Sequence, residues 1–250
     1  MKISIITAVY NNRKTIRNCI ESVLAQSHSS IEYIVVDGGS TDGTIEIIKS
    51  YGEKISHFIS EQDKGMYYAI NKGIGVSSGD VIGILHSDDF YATDDILRTV
   101  DAHMTTYATD SCYGDLLYVR KDSTDKIVRY WKSCPYREGL FLKGWMPPHP
   151  TFFVRRNIYE KYGGYNTSFR IAADYELMLR FLLKYKVSTV YIPEIIVRMR
   201  TGGTSNGSLR NMIIKSLEDY RAWTVNSLPR RFYTIPLKNV SKVSQFISRS

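Results

Sequence analysis

The sequence predicts an α/β fold with a mixed, mostly parallel central sheet and helices on both of its faces. Two observations support this prediction. Short, β-branched apolar runs alternate with stretches of helical hydrophobic period through the first half of the chain. Clusters of Gly, Ser, Asp and Asn separate the two kinds of segment, as expected at turns. Such βαβ units make neighbouring strands parallel and cover the sheet with helices.

The first half contains the most regular elements. Strands are predicted at residues 3–9, 31–36, 57–60 and 81–85, and helices at 16–26, 44–51 and 66–74. The first helix is amphipathic, because its apolar residues recur at the 3.6-residue period. The turn "GGSTDGT" precedes the second helix and offers Ser40, Thr41 or Asp42 as its cap.

The second half is less regular. Helices are predicted at residues 94–107, 156–162, 174–184 and 209–225, strands at 111–119, 126–131, 189–192 and 195–199, and a loop at "KGWMPPHPTFF". No internal repeat or low-complexity linker separates the two halves. We therefore predict a single domain over residues 1–226 and a basic tail over residues 227–250.

Composition excludes several classes of protein. A chain of 250 residues that is 43% hydrophobic is large and apolar enough to bury a core, which excludes disordered and fibrous proteins. The three cysteines are widely spaced, so neither a disulfide framework nor a zinc site is indicated. There is no signal-peptide cleavage site and no run as long as a membrane span. These features predict a cytoplasmic protein that does not cross the membrane.

The net charge of +8 indicates an anionic partner. No acid follows Asp219, whereas arginines, lysines and large apolar residues alternate to the end of the sequence. This tail is typical either of an interfacial anchor on an anionic leaflet or of a solvated basic segment, and the sequence leaves both open. Nucleic acid is not expected as a partner, because no recognition motif is present and the basic stretch is confined to the tail.

The ends of the predicted strands carry the residues of chemical interest. They read "TAVYNN", "VVDGGSTD", "EQDKG" and "LHSDD". Ligands of open parallel sheets bind outside the carboxyl ends of the strands. Three of these ends carry carboxylates, whose mutual repulsion a divalent cation would relieve.

Two phosphate-binding motifs are absent from the sequence, namely G-x-G-x-x-G after the first strand and G-x-x-x-x-G-K-[ST]. A bound phosphate would therefore need a metal and basic side chains. Asp88 and Asp89 supply oxygen ligands suited to Mg²⁺ or Mn²⁺. Taken alone, two adjacent Asp residues after a strand are also typical of a turn and helix cap.

Five motifs in order resemble one family. They are "TAVYNN", "VVDGGSTDGT", "EQDKGMYYAINKGI", "SSGDVIGILHSDDFY" and "FRIAADYELMLRF". The sequence resembles the inverting family 2 glycosyltransferases of the GT-A fold, particularly the non-processive enzymes of bacterial surface-polysaccharide synthesis such as capsule or O-antigen. The likeness spans roughly residues 3 to 203. It implies that residues 1–92 bind a nucleotide sugar and that residues 93–226 face the acceptor.

The resemblance implies a nucleotide site. Asp37 would accept the N3 hydrogen of uracil, Tyr10 would stack on the base, and Thr7 would line the same pocket. Asp63 and Lys64 would also face the nucleotide.

The resemblance also implies a metal site in the "SDD" segment. Asp88 would contact the ribose and Asp89 would bind Mn²⁺ or Mg²⁺ at the diphosphate. Many relatives have Asp where this chain has His86, and we interpret His86 as a loop residue because imidazole matches Mg²⁺ poorly. Arg200 would contact the diphosphate.

The general base implied by the resemblance is Asp174. The family often has Glu-Asp at this place, whereas this chain has Ala173-Asp174. On sequence alone, an Asp at a helix start is more typical of a cap. His149, in "PPHPTFF", is interpreted either as an acceptor contact or as a loop-packing residue.

The expected activity follows from the resemblance. The protein would transfer a hexose or N-acetylhexosamine from a nucleotide sugar, most simply a UDP-sugar, to a glycan or lipid-linked glycan. Leu177 and Phe181 replace the Gln and Trp of the processive signature, so one transfer per encounter is expected. A lipid-linked acceptor would give the tail a role in peripheral contact with the inner face of the cell membrane. The alternative is a non-catalytic protein that binds sugar nucleotides or glycans on the same fold.

Overall fold

Nine strands form one mixed sheet in the computed structural model, which describes residues 1–202, 209–229 and 233–238. The strands are β1 (Ile3–Val9), β2 (Ile31–Asp37), β3 (His57–Ser60), β4 (Val81–Ile84), β5 (Phe90–Tyr91), β6 (Ser111–Val119), β7 (Ile127–Trp131), β8 (Phe153–Arg155) and β9 (Thr189–Arg200). The helices are α1 (Ile16–Leu24), α2 (Thr44–Lys49), α3 (Met66–Val76), α4 (Ile96–Thr106), α5 (Arg156–Tyr162), α6 (Ala173–Met178) and α7 (Leu209–Val225). The predicted α/β fold class is confirmed.

The first four strands form a parallel unit in the order β3-β2-β1-β4. Every residue of β1 and β4 is buried, as expected for strands that are covered on both faces. The register pairs Val9 with Asp37 and Asp37 with Ser60. The carboxyl ends of β1, β2 and β3 therefore lie side by side at one edge of the sheet.

The remaining strands extend the sheet. β8 lies antiparallel between β4 and β6, β9 runs parallel to β6, and β5 and β7 flank β9 and β6. Sequence analysis did not predict β5 and β8, because strands of two and three residues are too short to show an alternating pattern. The strands predicted at 189–192 and 195–199 are one strand, β9, whose pairing with β6 shifts register near Asp115.

Most predicted helices are confirmed. The two predicted at 156–162 and 209–225 have the observed bounds of α5 and α7. The helix predicted at 174–184 consists of α6 followed by a π-helical segment, Leu179–Lys184. Within the described residues, no helix combines the length and apolar character needed to span a bilayer.

Part of the predicted tail folds back onto the domain. Residues 234–238 are helical, Ile235 is buried, and Lys238 is 1% exposed. Lys238 Nζ lies 2.6 Å from Asp219 Oδ1 and 3.1 Å from the centre of the Tyr175 ring. Trp223 is buried and donates Nε1–H to the Tyr175 hydroxyl at 2.9 Å. Lys238, which was predicted to belong to the basic tail, is therefore a buried part of the domain.

The rest of the tail is not covered by these observations. Residues 230–232 and 239–250 lie outside the described residues. Contact of that segment with a membrane stays a prediction.

Gly83 in β4 allows the two halves of the sheet to join. A Cβ atom at this position would lie 2.4 Å from Phe153 Cε1 of the neighbouring strand β8 and 3.2 Å from Ile5 Cδ1. Both partners are fully or almost fully buried, so neither can move aside into solvent.

Gly83→Ala is expected to destabilise the protein by about 1–3 kcal/mol, because the added methyl overpacks the contact with Phe153. Urea denaturation followed by circular dichroism measures the change. Gly75→Ala is the matched control, since Gly75 lies on the exposed side of α3 with no neighbour near an added Cβ. Its expected effect is neutral or slightly stabilising. Equal stability of the Gly83→Ala and Gly75→Ala proteins would contradict this explanation.

Candidate active site

A cavity of 1110 Å³ opens at the carboxyl ends of β1 to β4. Most of the residues that were predicted to form a site line this cavity: Tyr10, Asp63, Lys64, Asp88, His149, Asp174 and Arg200. They come from both halves of the sequence. The fold therefore brings together side chains that are up to 190 positions apart in the numbering.

Asp37 lies next to the cavity, behind the wall that Gly38 and Gly39 form. Its Oδ2 accepts hydrogen bonds from the N–H groups of Gly39 and Ser40, each at 3.0 Å, and from the Ser60 hydroxyl at 2.8 Å. Its Oδ1 is buried and has no hydrogen-bond partner among the described residues. A buried acceptor without a donor is costly, so this oxygen is suited to an N–H group of a ligand.

Tyr10 lies close to Asp37, because it follows Val9, which pairs with Asp37 in the sheet. Its side chain is 65% exposed and lies over Gly38, whose added Cβ would be 3.5 Å from Tyr10 Cδ2. Such an exposed ring beside backbone is suited to stacking on a flat ligand. The structure thus brings Tyr10 and Asp37 to the same place.

Thr7 does not reach the cavity. It is fully buried in β1, and its hydroxyl lies 3.2 Å from the Tyr33 hydroxyl and 3.8 Å from Cys19 Sγ. The prediction that Thr7 lines the nucleotide pocket is wrong, because the side chain faces the core between the sheet and α1.

Asp63 and Lys64 line the cavity together. One oxygen of Asp63 pairs with Lys72, which also binds Glu61 at 2.6 Å. The other oxygen, Oδ2, is buried without a hydrogen-bond partner among the described residues. Lys64 is exposed, so its ammonium remains accessible to an anionic ligand.

The two acids after β4 have different environments. Asp88 lines the cavity, whereas Asp89 is fully buried and is not among the lining residues. Asp89 Oδ1 accepts the Arg200 N–H at 3.2 Å. Burial, and then the charge of Asp88, raise the pKa of the Asp89 carboxyl well above its ordinary value. Asp88 is therefore the acid that faces the cavity, while the buried Oδ2 of Asp89 has no hydrogen-bond partner among the described residues, and its role as a metal ligand stays a prediction.

The segment before these acids is fixed to the start of α1. Asn12 donates its side-chain N–H to the Ser87 hydroxyl at 2.8 Å, and the Thr15 hydroxyl donates to the Ser87 carbonyl at 3.0 Å. These bonds hold the loop that carries Asp88. A carboxylate positioned in this way needs little reorganisation when a cation binds.

Arg200 lines the cavity but its guanidinium is already engaged. It donates to the Asp88 carbonyl at 2.6 Å and to Asn18 Oδ1 at 2.7 Å, and it lies over the Phe90 ring at 4.8 Å. Its observed role is to hold the acidic loop, while contact with a diphosphate stays a prediction. Lys121, which sequence analysis did not select, lines the same cavity and is exposed.

Asp174 lies in the first turn of α6 and lines the cavity beside two histidines. His149 Nδ1 is 3.1 Å from Asp174 Oδ2, and the His86 ring packs edge-on against His149 with centroids 5.5 Å apart. His86 was predicted to be only a loop residue. Its side chain instead belongs to this cluster, which no sequence spacing indicated.

The cluster has one charged member at neutral pH. Burial by itself raises the pKa of Asp174, but His149 and then Lys215 and Lys238 outweigh it, so the pKa is lowered and the carboxyl is ionised. Burial lowers the pKa of His149 to about 4 and also lowers the pKa of His86. Asp174 can therefore accept a proton, while both imidazoles are neutral.

Glu218 of α7 holds the loop that leads to Asp174. Its carboxylate accepts the backbone N–H groups of Arg170, Ile171 and Ala172 at 2.7 to 2.8 Å. The Tyr67 hydroxyl of α3 also donates to the Ile171 carbonyl at 2.7 Å. Sequence analysis missed Glu218, since its role depends on how α7 docks.

Comparison with known proteins agrees with this architecture. The family model for glycosyl transferase family 2 matches residues 4–171. An uncharacterized glycosyltransferase of Mycobacterium tuberculosis is 31% identical over 191 residues, which cover 75% of this chain and 71% of that protein. A glycosyltransferase of PGL/p-HBAD biosynthesis from Mycobacterium bovis is 27% identical over 219 residues, which cover 86% of this chain and 83% of that protein.

Solved structures show the same fold. S. aureus TarS 1–349 with UDP-GlcNAc has a TM-score of 0.64 at 14% identity, covering 100% of this chain and 74% of TarS 1–349. The chain spans 44% of a longer TarS structure. The mannosyltransferase PcManGT from Pyrobaculum calidifontis, in complex with GDP-Man and Mn²⁺, has a TM-score of 0.66 at 14% identity. The match covers 100% of this chain and 76% of PcManGT.

The sheet topology matches that of these glycosyltransferase structures, so the fold is of the GT-A class. The chain belongs to glycosyl transferase family 2. The resemblance in the sequence motifs is thereby confirmed.

Glu218→Gln is expected to destabilise the protein by about 1–3 kcal/mol, because three backbone N–H groups lose a charged acceptor. Urea denaturation measures the loss. Glu53→Gln, at an exposed glutamate of a short 3₁₀ turn, is the control and is expected to change stability by less than about 0.5 kcal/mol. Unchanged stability of Glu218→Gln would show that these bonds do not hold the loop.

Proposed function

We propose that this protein is an inverting glycosyltransferase. It transfers a hexose or N-acetylhexosamine from a UDP-sugar to a hydroxyl of a glycan or lipid-linked glycan in cell-surface polysaccharide synthesis. The observation that carries the proposal is that one cavity is lined by Asp88, which suits a metal and diphosphate, and by an ionised Asp174, which suits an acceptor. Solved structures of the same fold with UDP-GlcNAc, and with GDP-Man and Mn²⁺, support a nucleotide-sugar donor and a divalent metal.

Asp37 and Tyr10 are the residues proposed to recognise the base of the nucleotide. The free Oδ1 of Asp37 is an acceptor, and the N3–H of uracil is a donor at the edge of a flat ring. Tyr10 offers that ring a stacking surface. Cytosine carries an acceptor at N3, so the same site disfavours it. This complementarity supports a uridine over a cytidine nucleotide.

The residues present fit a divalent metal that is shared with the substrate. Among the described residues, no group of three or more His, Cys, Asp or Glu side chains could hold a metal unaided. Mg²⁺ and Mn²⁺ sites commonly combine one or two carboxylates with substrate phosphates. Asp88 would supply the carboxylate. The metal, when bound, would neutralise charge that develops on the departing diphosphate.

The proposed reaction is a single displacement. The acceptor oxygen forms a bond to the anomeric carbon as the bond from that carbon to the phosphate oxygen breaks, and the electron pair leaves with the diphosphate. Asp174 accepts the proton of the acceptor hydroxyl. One carboxylate suffices for this step, whereas hydrolysis of a glycoside uses two.

Asp174→Asn is expected to lower the transfer rate by about 10²- to 10⁴-fold, because the amide cannot take the proton. UDP affinity, measured by calorimetry with Mn²⁺, should stay within about twofold, as the nucleotide contacts are untouched. Transfer and slow donor hydrolysis are measured over a panel of nucleotide sugars. Asp125→Asn, at an exposed loop acid, is the control.

Two results would contradict these roles. Undiminished transfer by Asp174→Asn would remove Asp174 as the base. Tight UDP binding by the unaltered protein, with neither transfer nor hydrolysis of any donor, would favour the non-catalytic binding protein instead.

Asp37→Asn tests the base contact. The Asn carbonyl can replace Oδ2 in accepting Gly39 and Ser40, which places an NH₂ group where Oδ1 was. UDP affinity is expected to fall about tenfold or more, while CDP affinity stays or rises, because cytosine N3 accepts that N–H. Calorimetry with UDP and CDP measures both. Equal weakening of the two nucleotides would point to general disruption of the loop.

A further inference from the structure

A small side pocket adjoins the main cavity next to Asp174. Its volume is 10 Å³, which is about the space that one water-sized group needs. The pocket is lined by Met66, Tyr67, Ile70, Ile84, His86, His149, Tyr165 and Asp174. Five of these eight residues, including His86 and Asp174, also line the main cavity. The two spaces therefore meet at these side chains.

The inner wall of the side pocket is apolar and firmly held. Ile70 and Ile84 are buried, and the Tyr165 ring stacks on Tyr67 with centroids 5.5 Å apart and an interplanar angle of 13°. The Asn71 side chain donates to the Tyr165 carbonyl and accepts the Tyr165 N–H, each at 2.8 Å. A wall that is fixed at both its backbone and its ring keeps its shape, so the pocket can select a group by size.

His86 is the polar residue at the entrance of the side pocket. Its carbonyl accepts the Asp89 N–H at 2.9 Å and the Cys19 thiol at 3.4 Å, and its ring packs edge-on against His149 at an interplanar angle of 64°. Among the residues that the structure describes, neither ring nitrogen of His86 has a hydrogen-bond partner. A neutral imidazole offers one donor and one acceptor, which matches a hydroxyl group.

His86 lies between the two ends of the proposed reaction. Asp88 is two residues further along the chain, and His149, against which the ring packs, is 3.1 Å from Asp174. Burial lowers the pKa of the His86 imidazole, and the charges of Asp88 and then Asp174 act against this decrease, so both acids are near the ring. In a single displacement the transferred sugar lies between the diphosphate and the acceptor hydroxyl. A diphosphate at Asp88 and an acceptor at Asp174 therefore place the sugar against His86.

We propose that the side pocket selects the donor sugar, by admitting one of its hydroxyl groups and binding that hydroxyl to the imidazole of His86. The proposal rests on the proposed function, because it needs the sugar to lie between Asp88 and Asp174. It gives His86 a role in the choice among donors rather than in proton transfer. A volume of 10 Å³ has no room for an acetamido group, so the substituent that enters is a hydroxyl.

Calorimetry with Mn²⁺ and without acceptor tests the proposal. The unaltered protein is first titrated with UDP, GDP, UDP-glucose, UDP-galactose, UDP-N-acetylglucosamine and GDP-mannose. The nucleotide sugar that binds most tightly is then compared with analogues that each lack one of its hydroxyl groups. One analogue is expected to bind about 5- to 50-fold more weakly than the parent, because it leaves the His86 imidazole without its partner.

Two substitutions of His86 show whether this residue is responsible. His86→Phe keeps a flat ring without nitrogens, whereas His86→Ala removes the ring and cannot overfill the pocket. In both proteins the penalty for the missing hydroxyl is expected to fall below about twofold, because the group that bound it is gone. Affinity for the nucleotide without sugar should stay within about twofold. His57→Phe, at an exposed histidine of β3, is the control and should keep the full penalty.

Two results would overturn the proposal and leave the proposed function intact. The first is equal affinity for the parent and every analogue, which would mean that the side pocket holds an ordered water only. The second is a penalty that persists undiminished in both His86→Phe and His86→Ala, which would place recognition of the sugar elsewhere. Failure of UDP and GDP alike to bind would overturn the proposed function first, and this proposal with it.

Discussion

The parallel register of β1 to β4 is the constraint on which the rest of the site depends. Because these strands run in one direction and the ends of β1, β2 and β3 are level, the residues after the strands meet at one edge of the sheet. Asp37 ends one strand, and Tyr10, Asp63 and Asp88 follow three others, yet all four lie at or beside one cavity. A shift of one residue in any of these strands would turn the alternating side chains to the opposite face.

The accumulation of acids at this edge is unfavourable, and the surrounding structure compensates for only part of it. One oxygen of Asp37 accepts hydrogen bonds from backbone N–H groups. One oxygen of Asp63 forms an ion pair with Lys72, and one oxygen of Asp89 accepts the backbone N–H of Arg200. Each of these three carboxyls keeps a second oxygen that is buried without a hydrogen-bond partner in the described part of the chain. Buried polar atoms of this kind are rare in ordinary cores and are typical of functional sites. The first half of the molecule is thus arranged for ligands that bring donors and positive charge.

The second half of the molecule positions Asp174, the proposed base. Glu218 fixes the loop before α6, and Lys238 and Asp219 bring the 234–238 segment against Tyr175 in that helix. Asp174, in the first turn of α6, is therefore held by contacts that extend to the C-terminal part of the chain. The proposed division of the cavity into a nucleotide side and an acceptor side corresponds to this separation.

The sequence by itself determined the alternating elements, the order of the motifs and the acids that end the strands, because hydrophobic period and turn chemistry are local properties. The resemblance of its motifs to family 2 glycosyltransferases pointed to Tyr10, Asp37, Asp88 and Asp174. Only the tertiary structure decided which of these side chains reach the cavity. Thr7 faces the core and Asp89 is enclosed under Arg200, although both adjoin residues of the site. The contacts of His149 with Asp174, and of Glu218 with residues 170–172, join segments far apart in the chain, and no local pattern carries such information.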